Sequence, residues 1–328
     1  MKAVVITKPG GSEVLEIQER PRPEPGYDQI RVRVRASALN RADVSQRRGN
    51  YPAPAGAPAD ISGIEYAGEV DALGSGAALW KTGERVMGIV GGGGHAEYVC
   101  VHEREVLHAP RKLSWEDAAA IPEVFLTAYD ALFNRLHVGL GETLLIHAVG
   151  SGVGTAALQV ARVVGARVVG TARSPEKLER AKLLGLDVAI NAKDADWAAL
   201  VEQAIGAEAI HAILDLVGAN YLSGNLRVIA PLGRIVVVGL SSGATAQFNM
   251  GVLLRKRLSM VGTVLRARPL EEKIALARDF DAKLVPLFED NRLKPVVDRV
   301  FAFSEIRAAH DLMESNETFG KIVLRWER

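Results

Sequence analysis

Apolar and polar positions follow two different rhythms along this chain. Up to about residue 120 the apolar runs are short and closely spaced. Residues 3–6 and 14–17 read as strand pieces, and 29–36 (QIRVRVRA) alternates strictly, as a strand with one exposed face does. Residues 40–49 have the pattern of a short helix. Residues 51–58 hold three prolines and read as a fixed, non-helical loop. Further strands are predicted over 63–70, 85–90 and 96–101, with a turn of four glycines at 91–94. Many short strands with frequent turns indicate a small barrel or sandwich.

From about residue 115 the rhythm changes. Residues 115–136 read as helical, interrupted at Pro122. Strands are then predicted at 144–147, 167–171, 188–191, 212–217, 234–239 and 260–265. Helices lie between them at 153–164, 175–184, 197–204 and 222–229. Apolar strands alternating with helices mean a parallel sheet covered on both faces. Residues 270–290 read as one long helix, and 298–303 and 321–325 return to strand character. The tail is therefore expected to rejoin the first domain. No repeats, low-complexity segments or charged tails are visible.

The candidate chemistry centres on the stretch 144–155 (LLIHAVGSGVGT). An apolar strand is followed by Gly150, Gly152 and Gly154 and then by a helix, the opening of a dinucleotide-binding unit. Without side chains the backbone can approach a pyrophosphate, and the N–H groups of the helix start point at the anion. The match to G-x-G-x-x-G is incomplete, because Thr155 stands where the last glycine would be. The next strand runs into Thr171-Ala-Arg-Ser-Pro-Glu-Lys177 and carries no carboxylate at its end to take a ribose hydroxyl. Arg173, Ser174 and Lys177 offer donors to a phosphate there, which favours NADPH over NADH.

Composition removes other classes. Lys+Arg 40 against Asp+Glu 39 leaves a net charge of +1, so nothing points to nucleic acid or an anionic membrane as partner. No apolar run is long enough to span a membrane. A single cysteine, Cys100, excludes an intramolecular disulfide and a cysteine-based metal cluster. A reduced, cytoplasmic protein of two domains is expected.

Several segments together carry a family resemblance: 36–43 (ASALNRAD), 48–52 (RGNYP), 118–123 (AAAIPE), 126–128 (LTA), 145–148 (LIHA), 151–155 (SGVGT) and 320–323 (GKIV). Over essentially its whole length the chain resembles the zinc-independent medium-chain dehydrogenase/reductase superfamily. It looks most like the NADPH:quinone oxidoreductases related to zeta-crystallin, in particular their tumour-suppressor-induced subfamily. The resemblance implies a GroES-like β-barrel catalytic domain over 1–124 and 267–328, and a Rossmann doubly wound parallel sheet over 125–266. It places the active site in the cleft between the two. In such enzymes the residues matching Asn40, Asp43 and Tyr51 line the nicotinamide and substrate pocket. The match to Thr127 meets the nicotinamide, and those to Ser151, Gly152 and Val153 meet the pyrophosphate. Gly239, Leu240, Leu265 and Lys321 complete the expected cofactor contacts, with Asn191 at the end of the third strand. Two departures stand out. Relatives often place a tyrosine after that strand, where this chain has Ala192. The Gly-His-Glu motif of zinc-using relatives reads Gly63-Ile64-Glu65, so no metal is expected.

Hydride transfer to a quinone needs proximity and orientation more than an acid or base. Tyr51, on its proline-fixed loop, is the expected substrate contact. Asn40 and Asp43, three apart, are expected to share a helix face. Reduction of an enoyl thioester or activated alkene is the near alternative, because that reaction needs a proton donor and Tyr51 matches the tyrosine such reductases use. His147 and Cys100 read as buried core residues and Glu65 as a structural acid. Gly239-Leu-Ser-Ser-Gly243, followed by Asp298 and His310, also fits a hydrolase order, although no helix pattern starts directly after it. The apolar stretch 259–265 is read as a sheet edge, and relatives dimerise there, so a homodimer is expected.

Overall fold

The computed structural model describes residues 1–193 and 196–326. The chain divides into two compact units, Met1–Leu126 with Leu265–Arg328, and Thr127–Val264.

The first unit begins with a hairpin of β1 (Lys2–Ile6) and β2 (Leu15–Glu19). It continues with β3 (Gln29–Leu39), α1 (Arg41–Arg47), β4 (Glu65–Leu73), β5 (Arg85–Ile89), β6 (Tyr98–His102), β7 (Leu107–His108) and α2 (Trp115–Ala119). α3 (Pro122–Tyr129) starts at the proline that stops α2 and crosses into the second unit. β3 is the central strand. It pairs antiparallel with β4, β6 and the last strand of the chain. Its alternation explains this: Ile30, Val32 and Val34 are buried with Tyr66, Val86 and Val99.

The second unit is a six-stranded parallel sheet. Its elements are β8 (Thr143–Ile146), α4 (Gly152–Val163), β9 (Arg167–Ala172), α5 (Pro175–Leu183), β10 (Val188–Asn191), α6 (Trp197–Ile205), β11 (Ile210–Asp215), α7 (Leu222–Val228), β12 (Ile229–Val237), α8 (Met250–Lys256) and β13 (Ser259–Gly262). The spatial order β10-β9-β8-β11-β12-β13 is that of a doubly wound dinucleotide-binding sheet, with the winding reversing between β8 and β11. Leu145, Val169, Ile213 and Ile235 of four adjacent strands pack with Trp197, Val201 and Leu226 of the covering helices. Burying each such side chain contributes about 1.5–3 kcal/mol. Helix starts are marked locally: Ser151, Ser174, Asp196 and Asn249 each cap the helix that follows through the side chain.

The chain then returns to the first unit with α9 (Leu270–Lys283), α10 (Val285–Glu289), β14 (Val297–Ala302), α11 (Ile306–Ser315) and β15 (Lys321–Arg325). β15 pairs antiparallel with β3 and parallel with β14. The α/β architecture read from the sequence is observed.

Three local expectations need correction. The helix expected over 270–290 is two helices, because Pro286 in the first turn of α10 cannot donate to the preceding turn and breaks the run at Leu284. The strand expected from Arg234 starts at Ile229 instead, with a register irregularity spanning Pro231-Leu-Gly233. Cys100 is half-exposed, since β6 turns Val99 and Val101 inward and Cys100 the other way; burial still pushes its thiol up to about 11.

Candidate functional site

In the first unit the functional side chains converge at the end of β3. Asn40 is extended (φ −127°, ψ 156°) and is the N-cap of α1, so it does not share a helix face with Asp43 as expected. Asp43 sits at the third position of that helix, and its Oδ2 accepts from the Asn40 backbone N–H at 2.8 Å. Its Oδ1 accepts from Gly63 N at 3.0 Å. The carboxyl is fully buried, and desolvation pushes it up to about 6.

Lys321 closes this cluster from β15. Its Nζ donates to Leu39 O at 2.9 Å, Asn40 Oδ1 at 2.6 Å and Glu65 Oε1 at 2.7 Å. The three donors of the ammonium all end inside the protein. Glu65 also accepts from Asn40 Nδ2 at 2.7 Å and, through Oε2, from Glu123 N at 2.9 Å. Burial pushes the Glu65 carboxyl up and the Lys321 charge pulls it down. The structural acid expected at Glu65 is thus an anchor for β15, the loop before α1 and the start of α3.

His95 lies behind Asp43, with Nε2 at 3.9 Å from Asp43 Oδ2 and Nδ1 at 2.7 Å from Ser37 Oγ. Ser37 donates its proton to Glu65 O at 2.7 Å, so His95 Nδ1 carries the hydrogen and Nε2 is a bare acceptor. Burial pushes His95 down to about 3. Tyr51 is half-buried on its loop, and its ring lies 5.0 Å from the Arg266 guanidinium carbon. Leu265 precedes Arg266 and is half-buried. Arg266 was not legible as functional, being one of two arginines in an unremarkable stretch. His95 had a weak signal, following directly on four glycines.

In the second unit the singled-out residues other than Thr127 lie at or just after the carboxyl ends of the strands, on the side where doubly wound sheets bind ligands. Ser151 caps α4, its Oγ accepting from Gly154 N at 3.1 Å and its O from Thr155 N at 2.8 Å. Gly152 and Val153 occupy the first two helical positions, where a backbone N–H has no acceptor four residues back. Gly154 must be glycine, because a Cβ would stand 2.5 Å from Ala148 O and 2.7 Å from Val149 O. These bare donors fit a diphosphate.

Arg173 is exposed after β9, and Ser174 caps α5, its Oγ accepting from Lys177 N at 3.4 Å. Asn191 ends β10 exposed, and its Oδ1 accepts from Lys193 N at 3.0 Å. Gly239 and Leu240 follow β12, and a Cβ at Gly239 would meet Leu216 O at 2.6 Å. Thr127 is buried on α3.

A polar ladder runs beneath the reversal point. Thr171 Oγ1 lies 2.9 Å from His147 Nδ1, His147 Nε2 lies 2.7 Å from Asn225 Oδ1, and Asn225 Nδ2 donates to Asp215 Oδ2 at 2.9 Å. Asp215 Oδ1 then accepts from Val217 N and Gly218 N. His147 is the hydrogen-bonded core histidine expected. The hydrolase order is not assembled. His310 Nδ1 lies 3.1 Å from Arg47 Nη1 and its Nε2 has no hydrogen-bond partner among the described residues, so no described carboxylate orients that imidazole.

Among the described residues no group of three or more His, Cys, Asp or Glu is placed to hold an ion. The position of the ligating histidine is filled by Ile64, 3% exposed in the core, and Glu65 is already held by Lys321.

Comparison with known proteins gives the family. Residues 26–111 match the alcohol dehydrogenase GroES-like domain family, and residues 152–289 match the zinc-binding dehydrogenase family. The chain is 33% identical over 331 residues to a quinone oxidoreductase of Pseudomonas aeruginosa, covering 98% of this chain and 99% of that protein. A crystal structure described as an NAD-dependent alcohol dehydrogenase superposes with a TM-score of 0.88 at 35% identity, covering 99% of each chain. The CurK enoyl reductase superposes with a TM-score of 0.86 at 27% identity, covering 99% of each chain. Oxidoreductases of this kind use nicotinamide cofactors, and no helix among the described residues is long and apolar enough to cross a membrane. The chain belongs to the medium-chain dehydrogenase/reductase superfamily of oxidoreductases, in its quinone oxidoreductase subfamily.

Proposed function

We propose that the protein is an NADPH-dependent, zinc-independent reductase that delivers hydride to a quinone. The carrying observation is the pairing of two features on the strand ends of one sheet. The bare N–H groups of Gly152 and Val153 suit a diphosphate, and Arg173, Ser174 and Lys177 follow the neighbouring strand where no carboxylate stands. A carboxylate there would accept the ribose hydroxyl of NADH and repel a phosphate; a guanidinium does the reverse.

When bound, the reduced nicotinamide supplies the hydride. The chain's own residues do the rest. Asn40, Asp43, Glu65 and Lys321 hold the end of β3 and the first turn of α1 in one arrangement. Tyr51 offers an aromatic face to an acceptor ring. Zinc independence is supported by the donor set: Lys321 engages Glu65, and among the described residues no group of three or more His, Cys, Asp or Glu is placed to hold an ion.

Reduction of an activated alkene is the second reading, supported by the likeness to an enoyl reductase. There Tyr51 would supply the proton. Steady-state assays of ortho- and para-quinones, enones and a crotonyl thioester with NADPH decide between them. Turnover of para-quinones at least tenfold above the thioester supports quinone reduction, and the opposite order supports the alternative.

A further inference from the structure

Arg266 is a buried cation whose direct hydrogen-bond partners are all neutral. It is 5% exposed, yet among the described residues no carboxylate pairs with it. Its partners are neutral. Nε donates to Gly91 O at 2.7 Å, Nη2 to Gln46 Oε1 at 2.7 Å, and Nη1 to Tyr51 O at a long 3.4 Å. A guanidinium has five N–H donors, so one on each terminal nitrogen has no protein acceptor. Glycine at 92 keeps side-chain atoms off that edge: a Cβ there would come into contact with Nη2 at 3.8 Å. Burial lowers the Arg266 pKa, with Asp43 the principal opposing charge. Burying a charge without a partner is strongly unfavourable unless something else completes it. The same guanidinium lies over the ring of Tyr51, the expected substrate contact.

We propose that Arg266 binds the oxygen of a carbonyl-conjugated acceptor on which negative charge develops during reduction. The inference rests on the reductase reading above. Hydride brings the acceptor two electrons and one proton, and leaves the cofactor oxidised. The acceptor's oxygen then carries the negative charge until a proton from water neutralises it. Two N–H groups fixed before that charge appears stabilise it more than they stabilise the neutral carbonyl. Quinones and enones share this oxygen; an acceptor without one gains nothing from the guanidinium.

The test uses full-length protein and two readouts. In the first, 4-nitrophenol is bound to cofactor-free protein and titrated by its visible absorbance. A cation in contact lowers the apparent pKa of the bound phenol by about 1–3 units. Arg266→Gln should abolish this shift, and Arg266→Lys should keep part of it. In the second, kcat/KM is measured with NADPH for a series of substituted para-quinones. Arg266→Gln should lose about 100-fold, mostly in kcat, and Arg266→Lys should lose less. A role confined to holding Gln46, Gly91 and Tyr51 in place would leave the bound phenol equally acidic in Arg266→Gln and raise KM alone; that result overturns the inference. If Arg266→Gln does not fold, Arg266→Lys decides, because a phenol acidified no more than in water by this retained cation is also contrary. A wild-type protein that acidifies the phenol but reduces no quinone or enone would sink the reductase reading and leave the anion site standing.

Discussion

Lys321 Nζ lies 2.7 Å from Glu65 Oε1, and both side chains are almost wholly withdrawn from solvent. The pair joins β15, at the end of the chain, to β4. Breaking a buried pair by removing one partner leaves an uncompensated charge. Lys321→Met or Glu65→Leu should each therefore destabilise by about 3–5 kcal/mol. The double variant should lose less than the sum of the two, because no charge is left behind. Urea unfolding of the four proteins measures this; additive losses would show that the two groups do not depend on each other.

Asp43 and His95 shift in opposite directions, to about 6 and about 3, both because burial disfavours the charged form. The folded chain holds the Asp43 proton more tightly than the unfolded chain. Its contribution is complete below 3.8 and lost as pH rises through 6. The His95 contribution is complete above 6.5 and lost as pH falls through 3. Between roughly pH 4 and 6 the two slopes oppose each other and cancel. Asp43→Asn removes one of them. It should make stability fall toward acid by up to about 1.4 kcal/mol per pH unit more steeply than in the wild type. Parallel urea midpoints for the two proteins across this range would contradict the assignment.

Gly154 sets how closely α4 approaches the end of β8. Gly154→Ala places a methyl 2.5 Å from Ala148 O, so backbone must move. A loss of about 1–3 kcal/mol is expected, with a weakened nucleotide site. Thermal unfolding with and without NADPH should show a lower Tm and a smaller ligand-induced rise. An unchanged rise would mean that the diphosphate does not use this turn.

How much of this was legible follows from how local each signal is. Ser151, Ser174 and Pro175 mark helix starts within four residues of themselves, and the apolar strands of the second unit read as a parallel sheet without tertiary information. The helix break at Pro286 was also a local signal, overridden by the long apolar periodicity around it. The spacing of Asn40 and Asp43 reads as a shared helix face, because spacing alone does not separate an N-cap from a first turn. The Lys321–Glu65 pair was not legible, since the partners are 256 residues apart in sequence. Arg266 carried no sequence signal at all; its meaning lies in the acceptors around it, from Gln46, Tyr51 and Gly91.

Tyr51 separates the two substrate readings. Quinone reduction uses its ring, so Tyr51→Phe should change kcat/KM for para-quinones by less than about threefold. Alkene reduction uses its hydroxyl as proton donor, so the same variant should lose about 100-fold or more with a crotonyl thioester. A collapse of quinone turnover in Tyr51→Phe would contradict the proposed mechanism.

β13 is an edge strand, with Val261 39% and Val264, just beyond it, 56% exposed. Apolar edges are prone to pair with another chain. A homodimer formed through this edge is expected, and Val261→Lys should convert it to monomer in sedimentation without loss of NADPH binding. A monomeric wild-type protein would exclude the arrangement.

The central claim is that Arg173, Ser174 and Lys177 take the extra phosphate of the cofactor. It is tested most directly by titrating NADPH and NADH separately and comparing their dissociation constants, in the wild type and in Arg173→Ala. Charge-assisted hydrogen bonds of about 1.5–3 kcal/mol predict NADPH bound roughly 10–100-fold more tightly, with most of that margin gone in the variant. Equal or tighter binding of NADH by the wild type would contradict the account.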